Sequence, residues 1–163
     1  MNILFVCTGN TCRSSMAEAL FNDMLKQIEN KYDKIKVFSA GIFAVNDMPA
    51  SPQAIIAMKS RGIDLKKHKS KLLTKQMIED ADLILTMTKR HKNSILGLDS
   101  NAKDKVFTLK EYSNSDEQDL KDICDPFGQP VEKYMETAKE IKDALEKVLR
   151  KIKSSADDNF TEK

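Results

Sequence analysis

Cysteine is scarce in this 163-residue chain, and so is arginine. Three cysteines occur, Cys7, Cys12 and Cys124, too few and too poorly spaced for a structural zinc site or a secreted disulfide framework. Arginine supplies only four of the 27 basic residues, Arg13, Arg61, Arg90 and Arg150. In so lysine-rich a chain, each raises the question of what a planar guanidinium does that an ammonium cannot. A surplus of one charge is missing too: 27 basic against 25 acidic side chains leave a formal +2, which gives no electrostatic case for nucleic acid or a membrane surface as partner. No apolar run approaches the roughly 20 residues that cross a bilayer. Met1-Asn2 leads straight into an apolar segment, without the basic stretch and small-residue cleavage site of a signal peptide. The expected location is the cytoplasm, where thiols stay reduced and a cysteine near glycine and arginine reads as chemistry.

What is present is an ordinary globular composition, 40% hydrophobic and 32% charged, enough for one domain with a real core. Residues 2–7 are a nearly continuous apolar run, as in a strand buried on both faces of a parallel sheet. A polar loop, Thr8-Gly9-Asn10-Thr11-Cys12-Arg13-Ser14, follows. Met16, Leu20, Met24 and Ile28 then recur every four residues, predicting an amphipathic helix. Ile35 to Ala40 reads as a second strand. Ser51-Pro52 starts a helix with Ala54, Ile55 and Met58 inward, and Gly62 stops it. Thr74 to Asp80 is a short helical turn. Leu83 to Met87 is a third strand, Thr88 caps a helix ended by Gly97, and Val106 to Leu109 is a fourth strand. Asn114 to Lys121 is a polar surface loop. From Val131 the stripe Val131, Tyr134, Ala138, Ile141, Leu145, Val148, Ile152 steps by three and four. It fits a coiled-coil seam, but the last helix of an α/β domain is the preferred reading. There are no internal repeats and no second domain. The domain is expected to span 1–153, with 154–163 an unpatterned, disordered tail.

Strands alternating with helices predict an α/β, three-layer fold: a four-stranded parallel sheet with helices on both faces and a phosphate-binding loop after the first strand. Ligands of such sheets bind at the carboxyl ends of the strands. Cys7 and Arg13 bracket five residues there. The bare spacing is weak, since chance gives it in roughly 7% of chains of this composition. Its context adds weight: the cysteine ends a strand, Gly9 permits a tight reversal and Ser14 opens a helix. Successive backbone N–H groups of such a turn form an anion nest at a helix N-terminus. Arg13 offers a fork to two phosphoryl oxygens, the positive field favours the Cys7 thiolate as nucleophile, and Ser14 can donate a hydrogen bond to the sulfur. A nucleophile beneath a phosphate cradle forms a phosphocysteine. No metal and no cofactor is called for.

Cys7-Thr8-Gly9-Asn10-Thr11-Cys12-Arg13-Ser14 resembles the signature of the low-molecular-weight protein tyrosine phosphatases, and Asp125-Pro126 resembles their general-acid motif. The resemblance extends through Ser39-Ala40-Gly41, Arg61-Gly62-Ile63-Asp64 with His68, and the segment 81–87. Within the family it is nearest the bacterial protein-arginine phosphatase branch, through Thr11, Phe43, His91-Lys92, the run 104–112 and Asp125-Pro126-Phe127-Gly128. It implies Cys7, Arg13 and Asp125 as catalytic residues. It also implies Thr8, Gly9, Asn10, Thr11, Cys12 and Ser14 as substrate-binding residues, with Phe43 and Phe127 on the pocket walls. Asn10, Ser39 and His68 become members of the network that holds the loop. The expected partners are phosphorylated proteins, with no nucleic acid and no membrane; the oligomeric state is left open. Ser15 departs from the family's proline, and Cys124 beside the acid is read as a small half-buried residue. His91 is read as the surface of a helix. Taken alone, Asp125-Pro126-Phe127-Gly128 is simply a turn. A tyrosine phosphatase, an arsenate reductase and a non-catalytic phosphate-binding module are the competing readings. Residues 81–97 hold none of the extra cysteines a reductase needs, and a pure binder needs no general acid.

Overall fold

In the computed structural model, which describes residues 1–28, 32, 34–114 and 122–158, β1 (Asn2–Cys7) lies inside a four-stranded parallel sheet of order β2-β1-β3-β4. Its neighbours are β2 (Lys36–Gly41) and β3 (Leu83–Thr86), and β4 (Val106–Thr108) closes the far edge. Side chains alternate across a strand, so Ile3, Phe5 and Cys7 enter one core and Leu4 and Val6 the other. That double burial is why β1 is a continuous apolar run.

The larger core packs the sheet against α1 (Arg13–Lys26), α2 (Pro52–Lys59) and α6 (Val131–Asp158). Phe5 and Phe21 meet edge to face there, 5.9 Å between ring centres. Tyr134, Ala138, Ile141, Leu145, Val148 and Ile152 are all buried in it, so the stripe is the sheet-facing side of the last helix. The smaller core holds Ile78 of α3 (Lys75–Asp80) and Ile95 of α4 (Lys89–Leu98), with Ile84 and Val106 of the sheet. The three-layer arrangement therefore stands as read.

Several local readings change. Gly97 does not end α4; it is the penultimate helical residue, and the chain leaves the helix at Asp99. The predicted fourth strand stops at Thr108, whose hydroxyl and Glu111 form a reciprocal capping box for a short helix, α5 (Leu109–Ser113). α1 begins at Arg13 and ends at Lys26, leaving Ile28 beyond it. Ser51, Thr74 and Thr88 each cap the helix they precede. α6 runs to Asp158, past the boundary read at 153. Residues 115–121, most of the polar loop, and 159–163 of the tail lie outside the described residues.

Strand order reverses direction at β1, with β2 on one side and β3 on the other. In a parallel sheet that switch point leaves a crevice at the carboxyl ends of the strands. Cys7 is the last residue of β1.

Candidate active site

The segment from Thr8 to Cys12 wraps back over the end of β1 because one residue takes a left-handed conformation. That residue is Asn10, with φ of 56°, and not Gly9, on which the sequence placed the reversal. Asparagine tolerates this region and uses its side chain to hold it. Asn10 is fully buried: Nδ2 donates to Ser14 Oγ at 2.9 Å and Ser39 Oγ at 2.8 Å, and Oδ1 accepts from the Lys71 amide at 2.9 Å. Its carbonyl accepts from His68 Nε2 at 2.6 Å. Asn10, Ser39 and His68 are therefore joined in one network, as the resemblance implied, and the Ser39 hydroxyl in turn donates to the Glu18 carboxylate.

Gly41 supports the loop from behind. A Cβ there would sit 2.5 Å from the Thr8 carbonyl oxygen and 2.9 Å from the Asn10 nitrogen, so only glycine lets β2 and the loop approach so closely. The contact is sealed by Ile42 N–H to Cys7 O and Phe43 N–H to Thr8 O.

Cys7 lies at the floor, 3% exposed. Its Sγ accepts from the Asn10 amide at 3.3 Å and stands 2.9 Å from Ser14 Oγ. Ser14 Oγ accepts from Asn10, and its one proton is shared between the sulfur and the Ala40 carbonyl, 3.4 Å away. Among the described residues, the N–H groups of Gly9, Thr11, Cys12 and Arg13 take no acceptor from the protein. With the start of α1 they form a concave array of donors, which suits an anion.

Arg13 is 4% exposed, yet its guanidinium reaches the crevice. Nη1 donates to Ile123 O at 3.1 Å and Nη2 pairs with Asp125 Oδ2 at 3.1 Å. The structure thus brings Cys7, Arg13 and Asp125 together from positions 7, 13 and 125. Asp125 also takes the Phe127 amide on Oδ1 at 3.2 Å, and Gly128 turns the chain with φ of 74°. The Phe43 and Phe127 rings are 73% and 77% exposed, on segments tied to Thr8 and Asp125. Thr11 is half-buried and Cys12 is buried. Cys12 Sγ lies 3.4 Å from Tyr134 OH and 3.5 Å from Ser51 Oγ. Cys124 is exposed rather than half-buried, because the 122–127 segment lies over the surface.

His91 is the largest correction. It is buried, with Nε2 2.9 Å from Thr8 Oγ1 and Nδ1 without a protein partner. Burial first, then the nearby Arg13 charge, push its pKa from 6.5 down to about 4, against the opposing pull of Asp122 and Asp125. It supports the loop as a neutral imidazole at neutral pH. Its signal in the sequence was the i, i+4 partnership with buried Ile95. Tyr134 was read only as core; a buried phenol needs a partner for its hydroxyl, and burial with the Cys12 contact pushes its pKa up to about 12.

Residues 2–158 match the family described as low molecular weight phosphotyrosine protein phosphatase. The chain is 42% identical over 153 residues to a protein-arginine-phosphatase of Bacillus subtilis, covering 94% of this chain and 97% of that one. It is 40% identical over 152 residues to the protein-arginine-phosphatase of Geobacillus stearothermophilus, covering 93% and 96%. Among solved structures, it is similar to a cysteine-to-serine mutant of the YwlE arginine phosphatase with its active-site serine phosphorylated. That match has a TM-score of 0.85 and 40% identity, over 94% of this chain and 96% of the other.

Proposed function

The chain belongs to the low molecular weight phosphotyrosine protein phosphatase family, and we propose that within it the protein removes phosphate from phosphoarginine in proteins, through a phosphocysteine on Cys7. The observation that carries the chemistry is the convergence of a buried sulfur, a fan of free backbone donors and the Arg13 fork in contact with Asp125.

In this reading the phosphoryl oxygens settle on the amides of Gly9, Thr11, Cys12 and Arg13 and on the Arg13 guanidinium, which spread the charge of the transition state. Cys7 Sγ attacks phosphorus in line and the phosphorus–nitrogen bond breaks. Asp125 gives its proton to the departing guanidine nitrogen. Asp125, now a carboxylate, takes a proton from water as the water attacks the phosphocysteine. Orthophosphate leaves and the thiolate returns, helped by the Ser14 hydroxyl. The YwlE relative with a phosphorylated serine in place of its cysteine is in keeping with a covalent step at this position.

The arginine reading draws support from the two relatives at 42% and 40% identity, both protein-arginine-phosphatases. Thr11 is the residue we assign to selection. A hydroxyl there leaves room for a planar guanidinium and a hydrogen bond beside it, and exposed Phe43 and Phe127 offer flat faces to a cation. The family description favours phosphotyrosine as the second reading. A nucleophile that must stay reduced is in keeping with work on cytoplasmic proteins.

The test is kcat/KM on matched phosphoarginine and phosphotyrosine peptides, for the wild type and Thr11→Ile. The wild type is expected to prefer phosphoarginine. The substitution is expected to move the ratio toward phosphotyrosine by about 10- to 200-fold, the value of one such contact. A wild-type preference for phosphotyrosine replaces the reading with the tyrosine one.

A further inference from the structure

Between Asp64 and Glu79 the chain carries five lysines and no acidic residue, four of them in the run Lys66-Lys67-His68-Lys69-Ser70-Lys71. Elsewhere several lysines are matched to carboxylates: Lys133 to Glu136, Lys139 to Asp143 and Lys142 to Glu146 along α6, Lys110 to Glu140, and Lys92 to Glu111. Lys66, Lys67, Lys69 and Lys71 are exposed and, among the described residues, none of the four makes an ion pair. Four unpaired lysines thus crowd into six residues of a near-neutral protein.

That segment is built into the side of the cradle. His68 bonds the Asn10 carbonyl and the Lys71 amide bonds Asn10 Oδ1. Ser70 then couples it to residues 45–48: Ser70 N–H donates to Met48 O, Asp47 N–H donates to Ser70 O, and the Ser70 hydroxyl donates to Val45 O at 2.5 Å. Phe43, at the head of that second segment, bonds Thr8. Phe43, Val45 and Met48 are exposed apolar residues. On this side the cradle is therefore flanked by an apolar strip and by a segment bearing four unpaired lysines, and both segments are anchored to the same loop.

We infer that this rim is a docking surface for the protein substrate, and that it selects phosphorylated sites flanked by acidic residues. The inference rests on the reading of the protein as a protein phosphatase. Acidic flanks complement the lysine run. Charges at a rim act chiefly on encounter and are screened by salt.

Two peptides of one length, with glutamate or with lysine on both flanks, each made with phosphoarginine and with phosphotyrosine, are compared with p-nitrophenyl phosphate. The enzymes are the wild type, a Lys66→Glu/Lys67→Glu/Lys69→Glu variant and the corresponding Gln variant. Exposed pairs are individually weak, so three together are expected to favour the acidic peptide about tenfold in kcat/KM at low salt. The preference should shrink in 0.5 M salt (about a 4 Å screening length), vanish in the Gln variant and reverse in the Glu variant. Turnover of p-nitrophenyl phosphate should stay the same. Equal turnover of the two flanks by the wild type overturns the inference, as does a preference that survives in the variants or a matching loss with p-nitrophenyl phosphate. So does loss of binding to phosphatidylserine vesicles while the flank preference stays, which makes the rim a membrane contact instead. The flank ratio is read on whichever phosphoresidue is turned over, so failure of the arginine reading is a separate result.

Discussion

Two parts of the crevice are built on opposite terms. The cradle from Cys7 to Ser14 is largely buried, and its shape is fixed by side-chain bonds while the amides of Gly9, Thr11, Cys12 and Arg13 stay open to an anion: Asn10 alone makes bonds to Cys7, Ser14, Ser39, His68 and Lys71. The arm from Cys124 to Gly128 lies open except at Pro126, which is buried. Asp125 is half-exposed and is held to the cradle through the Arg13 pair and to its own turn through the Phe127 amide. Donors that stabilise developing charge must be fixed before the reaction, whereas a group that gives up and then takes back a proton must shift between partners. The cradle is made rigid by burial, and the arm is left adjustable by the lack of it. Damage to the cradle should therefore cost fold and rate together, and damage to the arm rate alone.

The sharpest separation comes from Asp125→Asn. We expect kcat to fall about 10²- to 10⁴-fold for substrates with poor leaving groups and much less for those that depart unprotonated. The thermal midpoint should change little, because the Asn side-chain oxygen still accepts from the buried Arg13 guanidinium, which also stays bonded to the Ile123 carbonyl. Steady-state kinetics across a leaving-group series checks the first part and a melting curve the second; a uniform loss with a lowered midpoint would make the arm a structural element.

Gly41→Ala is the opposite case. The new methyl has no space against the Thr8 carbonyl oxygen and the Asn10 nitrogen, so the loop must shift. We expect a loss of about 1–3 kcal/mol in stability and about a tenfold drop in kcat/KM for every leaving group alike. Urea unfolding with the same kinetic series would expose a dependence on leaving group, which would show that β2 couples to the arm.

The smallest effect concerns His91. In the fold it takes a proton only near pH 4, but in the unfolded chain near 6.5. Between those values the unfolded state binds more protons, so this group's contribution to stability rises with pH over that window and is level above it. His91→Gln keeps a donor for Thr8 and removes the titration. Its urea midpoint should vary less than that of the wild type between pH 4 and 6.5, and an identical slope would show that the proton goes elsewhere.

The cradle was legible in the sequence because its parts are local: strand, polar loop and helix follow one another, and the change of hydrophobic period marks both joints. The helix starts at Ser51, Thr74 and Thr88 were legible for the same reason, since a capping bond spans three residues. What was missed acts across the chain. His91 reaches Thr8 over 83 positions, and Tyr134 reaches Cys12 over 122; no local pattern encodes either contact. Gly9 drew the turn by its residue type, while Asn10 makes it because its side chain fills the space the turn creates. α5 was hidden by Val106 to Leu109, an apolar run that continues across the strand–helix joint; the Thr108 and Glu111 pairing was its one local mark.

The bond between Tyr134 and Cys12 also bears on the order in which the molecule comes into being. The reactive segment is made first during synthesis, yet its arginine waits for the carbonyl of residue 123 and its second cysteine for the phenol of residue 134. Such closures over more than a hundred residues form late, once loop entropy has been overcome. A chain still emerging from the ribosome thus carries Cys7 and its loop before the contacts that fix Arg13 and Cys12, which wait for residues 123 and 134.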